Sequence, residues 1–197
     1  MVGLKIPIVP RRGQLIVTEP VPPLTHGDLN CARYITAKFR PELLGTGEMA
    51  RLGIGLSLGQ TKNGNLLIGG TREFVGFNKG TTHKALKAIL KHAVSIVPAL
   101  KNVHIIRSFS GLRPYTPDGL PILGEVPEVP GFIMAAGHEG DGIALSAITG
   151  KIISEIIADG KPSADINIDM TRLSLVRFRE VDVNEFWQSH NCYGHAV

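Results

Sequence analysis

A chain of 197 residues is long enough for one sizeable domain or two small ones, and a hydrophobic content of 43% can fill a core. The net charge of +4 comes from scattered basic residues with no run of five or more, which argues against a nucleic-acid surface. Cys31 and Cys192 form neither a metal pattern nor a disulfide framework, the seven histidines show no ligand spacing, and no stretch reaches the about 18 apolar residues of a membrane span. With no apolar leader at the first residues, the expectation is a soluble, cytoplasmic protein without a metal.

The 23 Gly and 13 Pro predict many turns and a sheet-rich fold. Residues 6–10 are apolar and proline-bounded. Arg11-Arg12-Gly13-Gln14 reads as a turn before a buried strand over residues 15–18, which Pro20 ends. Residues 29–39 mix Ala, Tyr, Ile and Thr and read as a strand leading into a loop. In residues 53–70, Ile54, Leu56 and Leu58 alternate with Gly55, Ser57 and Gly59, and Asn63-Gly64 precedes the apolar run 66–68. Asn-Gly between two apolar segments predicts a hairpin. Arg72 and Glu73, just beyond it, read as a surface ion pair.

Residues 81–100 give the clearest amphipathic helix. Leu86, Ile89, Leu90, Ala93 and Val97 recur at helical spacing, with Lys84, Lys87 and Lys91 opposite. Thr81 or Thr82 is the expected N-cap, and Pro98 marks the end. A strand over residues 103–109 runs into Gly111-Leu112-Arg113. Next come a Gly/Pro-rich loop, a short strand over residues 132–136, the turn Gly137-His138-Glu139-Gly140-Asp141-Gly142, and a helix over residues 143–158 that Gly160 stops. A strand feeding a glycine turn that opens a helix brings backbone N–H groups to an anionic or electron-rich ligand. The last dozen residues are polar and uneven and are expected to be loosely ordered. Strands and helices do not alternate strictly, which favours an α+β fold with a mixed or antiparallel sheet.

The segments GLRPYTPDGLPILG and PGFIMAAGHEGDGIALSAITGKIISEII resemble the C-terminal end of the D-amino-acid oxidase superfamily of FAD-dependent oxidoreductases. The nearer branch looks like glycine oxidase, the sarcosine oxidase β subunit and related amine and imino-acid dehydrogenases. IPIVPRRGQLIVTE and LLIGGTRE resemble that family's entry into its substrate domain and its mid-domain strand. The resemblance implies a substrate-binding-type domain over residues 5–110, a flavin-facing segment over residues 111–170 and a tail over residues 171–197. Such enzymes begin with a dinucleotide-binding GxGxxG turn, and this chain has none. The strand–turn–helix is therefore expected to belong to an incomplete FAD-binding domain, with the N-terminal dinucleotide-binding half absent.

By that resemblance Arg113, the arginine of GLRP, holds a substrate carboxylate, which its planar fork matches bidentately; the alternative is an arginine bridging loop carbonyls. Gly137, His138, Gly140, Asp141, Gly142 and Ile143 form the flavin-side turn, or else a tight connection that needs glycine for its backbone angles. Arg12 sits where the family's chain passes near the flavin, and a turn before a strand explains it equally well. His138 is discounted as a general base. Asp118 closes a turn or fixes Arg113 or its loop, and Glu73 borders the substrate pocket or belongs to the surface pair. Neither cysteine lies in a motif that supports a covalent flavin. The implied function is part of an FAD-dependent oxidase or dehydrogenase acting on the C–N bond of a small amino or imino acid. A separate FAD-binding polypeptide or a homo-oligomer would complete it. The alternative is a non-catalytic truncated module or scaffold subunit that self-associates and binds no flavin.

Overall fold

A computed structural model describes residues 3–163 and 165–190 of the chain. These form two compact units, Arg12–Leu112 and Met1–Arg11 with Arg113–Val197. Two long strands carry the chain from one to the other: β1 (Val9–Pro20) and β5 (Ile105–Tyr115).

The unit Arg12–Leu112 also holds β2 (Leu29–Asn30), α1 (Ala32–Phe39), α2 (Glu48–Arg51), β3 (Ser57–Gln60), β4 (Asn65–Gly69) and α3 (His83–Ile96). Its sheet runs β2-β3-β4-β1-β5. The hairpin that Asn63-Gly64 predicts is β3–β4, antiparallel with Leu58 opposite Ile68. β1 pairs antiparallel on the other side of β4, with Ile16 opposite Ile68. Alternate residues face one way on a strand, so Leu58, Leu66, Ile68 and Ile16 line a common core while Leu67 is exposed. α3 covers that core with Ile89 and Ala93, one turn apart. Its N-cap is Thr82, whose Oγ1 accepts from the Ala85 amide at 3.3 Å.

Residues 29–39 depart from expectation. Only Leu29–Asn30 is strand, and α1 follows it. Tyr34, Ile35 and Thr36 favour strands, but packing overrides that preference. The helix lies so close to the loop before β3 that a Cβ on Gly55 would come 2.4 Å from Tyr34 Cα. No strand begins at residue 54; pairing starts at Ser57.

The other unit is built on β6 (Ile122–Glu125) and β7 (Ile133–Ala136), an antiparallel pair, with α4 (Ser146–Asp159) and α5 (Val183–Ser189). Neighbours on β6 feed opposite cores. Ile122 joins Val126, Met134 and Phe178, whereas Leu123 joins Ile152 and Ile156 of α4. Gly160 ends α4 in the left-handed region at φ 73°, and its amide donates to Ile156 O at 3.0 Å. α4 begins three residues later than the pattern suggests, because residues 141–145 close a turn of their own through Leu145 N–H to Asp141 O at 2.9 Å. The polar tail is more structured than expected up to residue 190; residues 191–197 lie outside the described residues. Asp182 caps α5, and Trp187 Nε1 donates to Ile6 O at 3.1 Å. The fold is thus α+β with antiparallel pairing, and among the described residues no helix is long and apolar enough to cross a membrane.

Leu58→Ala should lower stability by about 2–5 kcal/mol, the combined cost of lost burial and a residual cavity. Urea unfolding followed by circular dichroism measures it, and an unchanged midpoint would contradict the assigned core.

Candidate functional site

In the unit Met1–Arg11 with Arg113–Val197, the end of β5 lies against the turn that follows β7. Gly137 takes φ 81°, and a Cβ there would lie 2.6 Å from Thr116 Cγ2. Only glycine meets both demands. Thr116 is itself buried, and its hydroxyl donates to Leu120 O at 2.8 Å. Two residues past Gly137, the Glu139 amide donates to Pro114 O at 3.0 Å, fastening the turn to the GLRP strand. A Cβ on Gly140 would come 3.4 Å from Arg113 Cδ, so the half-buried Arg113 side chain runs along this turn. The structure therefore brings together Arg113, Gly137, His138, Gly140, Asp141, Gly142 and Ile143.

His138 ties the turn to α4, with Nε2 and Thr149 Oγ1 3.0 Å apart. Burial holds the His138 pKa below its ordinary value, against the pull of the Asp141 carboxylate. Among the described residues, the amides of Gly142, Ile143 and Ala144 donate to no acceptor. Ile143 is 94% exposed, and Leu145 and Ile148 are open beside it. Three open amides next to an apolar surface suit a flat, largely apolar ring with an electron-rich polar edge, as the flavin of FAD is.

The sequence reading missed a buried pair here. Glu139 is 7% exposed, and its Oε1 faces Arg11 Nη1 at 3.5 Å. The Arg11 guanidinium also lies 4.9 Å from the Tyr115 ring centroid. Glu139 holds φ 54°, an uncommon value for a residue with a side chain. A charged residue set between glycines was the available signal. Asp118 closes its turn by accepting from Leu120 N at 3.0 Å, and its ion pair is with Arg177 at 2.7 Å.

In the unit Arg12–Leu112, Arg12 is buried. Its Nη2 meets Glu73 Oε1 at 2.9 Å and its Nη1 donates to Gly80 O at 2.8 Å. Glu73 Oε2 also accepts from Gln14 Nε2 and from Thr71 Oγ1, each at 2.7 Å. Gln14 Oε1 accepts from the Thr82 amide at 2.8 Å, which ties the network to the start of α3. Burial would raise the Glu73 pKa, but the bonds from Arg12, Gln14 and Thr71 outweigh it and hold the carboxyl below its ordinary value. The expected Arg72–Glu73 surface pair does not form. Both residues are buried, and Glu73 is engaged by Arg12 from β1.

A family model described as "DAO: FAD dependent oxidoreductase" matches residues 1–156. Hydrogen cyanide synthase subunit HcnC of Pseudomonas aeruginosa is 35% identical over 164 residues, covering 83% of this chain and 34% of that protein. Glycine oxidase of Geobacillus kaustophilus is 32% identical over 167 residues, covering 84% of this chain and 38% of its own. The solved structure of that glycine oxidase superposes with a TM-score of 0.70 at 28% identity, over 89% of this chain and 41% of that one. L-proline dehydrogenase from P. horikoshii shares the fold, with a TM-score of 0.72 at 24% identity, over 90% of this chain and 42% of that one. The chain spans about a third of the length of the curated relatives it matches.

The lowered Glu73 pKa means that its pairing contributes stability above the ordinary carboxylate range, and that this contribution is lost as pH falls through the lowered value. Glu73→Gln leaves Arg12 buried without a counter-charge and should cost about 3–5 kcal/mol at neutral pH. The gap to the parent chain should close in acid. A gap that stays constant from neutral pH to pH about 3, in urea midpoints, would contradict the buried pair.

Proposed function

The chain belongs to the DAO family of FAD-dependent oxidoreductases, and on that premise we propose that it supplies the substrate-side unit and the flavin-facing turn of an enzyme that oxidises the C–N bond of a small amino or imino acid. The observation that carries the reading is the joint placement of Arg113 and the turn 137–144 with its open amides. Hydride acceptance is the chemistry that the flavin supplies when bound. Arg113 presents its fork to the substrate carboxylate and so anchors the α-carbon beside the turn. The amides of Gly142, Ile143 and Ala144 stabilise negative charge that develops on the electron-rich edge of the flavin. His138, bonded to Thr149, holds the turn in place rather than moving a proton. Arg12, its donors committed to Glu73 and Gly80, fixes β1 within the unit Arg12–Leu112. Positioning therefore does the work, and no protein base is required.

In this reading an N-terminal dinucleotide-binding half, on the same or a separate polypeptide, completes the FAD site. Exposed apolar residues favour such a complement. Ile105, Ile106 and Phe109 are open on β5, at the edge of its sheet, and Ile143, Leu145 and Ile148 are open on the other unit. The same surfaces favour a second reading, a self-associating module that binds no flavin. An absorbance scan with and without added FAD separates the two: a bound-flavin spectrum supports the first, and a protein left colourless with FAD and an FAD-binding complement supports the second.

In the flavin-loaded assembly, Arg113→Ala should weaken substrate binding by about 2–5 kcal/mol, measured as the substrate concentration that half-bleaches the flavin. Unchanged affinity would remove Arg113 from the site.

A further inference from the structure

Glu139 stands where glycine would be easier. The Asp141 amide donates to His138 O at 2.9 Å, so Glu139 is the first residue inside a closed turn. It takes φ 54° there, and among the described residues no other side-chain-bearing residue has a positive φ. Glycine adopts that conformation without strain. Burial adds a second cost. Glu139 is 7% exposed, and its Oε1 faces Nη1 of Arg11, itself 5% exposed, at 3.5 Å. The attraction within a buried ion pair returns little more than desolvation takes. The residue is nevertheless gripped from several sides. Its amide donates to Pro114 O at 3.0 Å, and the Arg11 guanidinium lies 4.9 Å from the Tyr115 ring centroid. Strained residues persist where the surroundings over-determine them, and they cluster at binding sites.

The open amides follow at once. Asp141 O accepts from the Leu145 amide at 2.9 Å, and between those residues lie Gly142, Ile143 and Ala144, whose amides donate to no acceptor among the described residues. The chain is folded tightly here, since a Cβ on Gly142 would lie 3.3 Å from His138 Cβ. Amides without acceptors are not aimed by hydrogen bonds of their own, so their direction is set from the two ends of the segment. The bond from Leu145 to Asp141 leads into α4 and holds the far end. We infer that Glu139, paired with Arg11, is the positioning residue of the near end, and that it holds the amides of Gly142, Ile143 and Ala144 in one orientation before a ligand arrives. Donors that are already aimed cost less ordering on binding, and a glycine at position 139 would give an easier but looser turn. What the amides serve rests on the flavin reading above; how they are held does not.

The test uses the 197-residue chain without flavin. Backbone 15N relaxation reports the order of the three amides, and the thermal midpoint is followed in parallel. In the parent chain all three should show order parameters of about 0.85, the value of rigid backbone. The double variant Arg11→Met/Glu139→Gly removes the strain and both buried charges together. It should melt no lower than the parent while the three order parameters fall below about 0.6. Arg11→Met/Glu139→Asn keeps a residue that tolerates positive φ and removes only the pair, and it should loosen the same amides. Amides that stay rigid in either double variant overturn the proposal. So does a midpoint that falls together with the order, because the pair would then be a contact for stability. Amides already mobile in the parent overturn it without any variant, even if the substitutions impair folding. Absence of flavin binding would defeat the proposed function and leave these measurements untouched.

Discussion

The candidate site depends on one close approach, that of Gly137 to Thr116. With φ 81° and room for no more than hydrogen, Gly137 lets the chain leave β7 and turn at once against the strand that carries Arg113. The Glu139 amide then bonds Pro114 O, and the Gly140 backbone passes beneath the Arg113 stem. Substituting alanine at Gly137 would ask for both a strained backbone and a displaced threonine. The turn leaves the amides of Gly142, Ile143 and Ala144 without acceptors among the described residues, on the same stretch of chain that runs along Arg113.

Two consecutive arginines on β1 do separate jobs. Arg11 pairs with Glu139 in one unit, and Arg12 pairs with Glu73 in the other. Successive side chains on a strand point to opposite faces, so one stretch of chain serves two cores. Buried ion pairs contribute little net stability, yet breaking one strands a charge. Their value here is specificity. Arg12 and Gln14 fix β1 to the residues after β4 and to the start of α3, and a slip of the strand by one residue would turn both away from Glu73.

Short-range patterns in the sequence revealed much of this fold. Asn63-Gly64 between alternating apolar residues marked the β3–β4 hairpin, the spacing of Leu86, Ile89 and Ala93 marked α3, and Gly160 marked the end of α4. Features that rest on distant contacts were not legible. α1 carries residues of strand preference and becomes helical because it packs against Gly55. Glu73 and Arg12 are 61 positions apart, and nothing local to Arg72-Glu73 says that the acid will be taken by another strand. Of the candidate site, the glycine turn was legible because backbone chemistry leaves a mark in glycine spacing, and Arg113 was singled out through the resemblance of the GLRP segment; the fold sets the two side by side. The Arg11–Glu139 pair was not legible, because only the folded chain brings its members together.

The central claim is that the amides of residues 142–144 face the flavin. Their 1H–15N resonances, recorded while the chain, together with the FAD-binding complement proposed for it, is titrated with FAD, test it most directly. The account predicts that Gly142, Ile143 and Ala144 shift strongly while amides in the β3–β4 hairpin stay still. Flavin binding that leaves those three amides unmoved would contradict it.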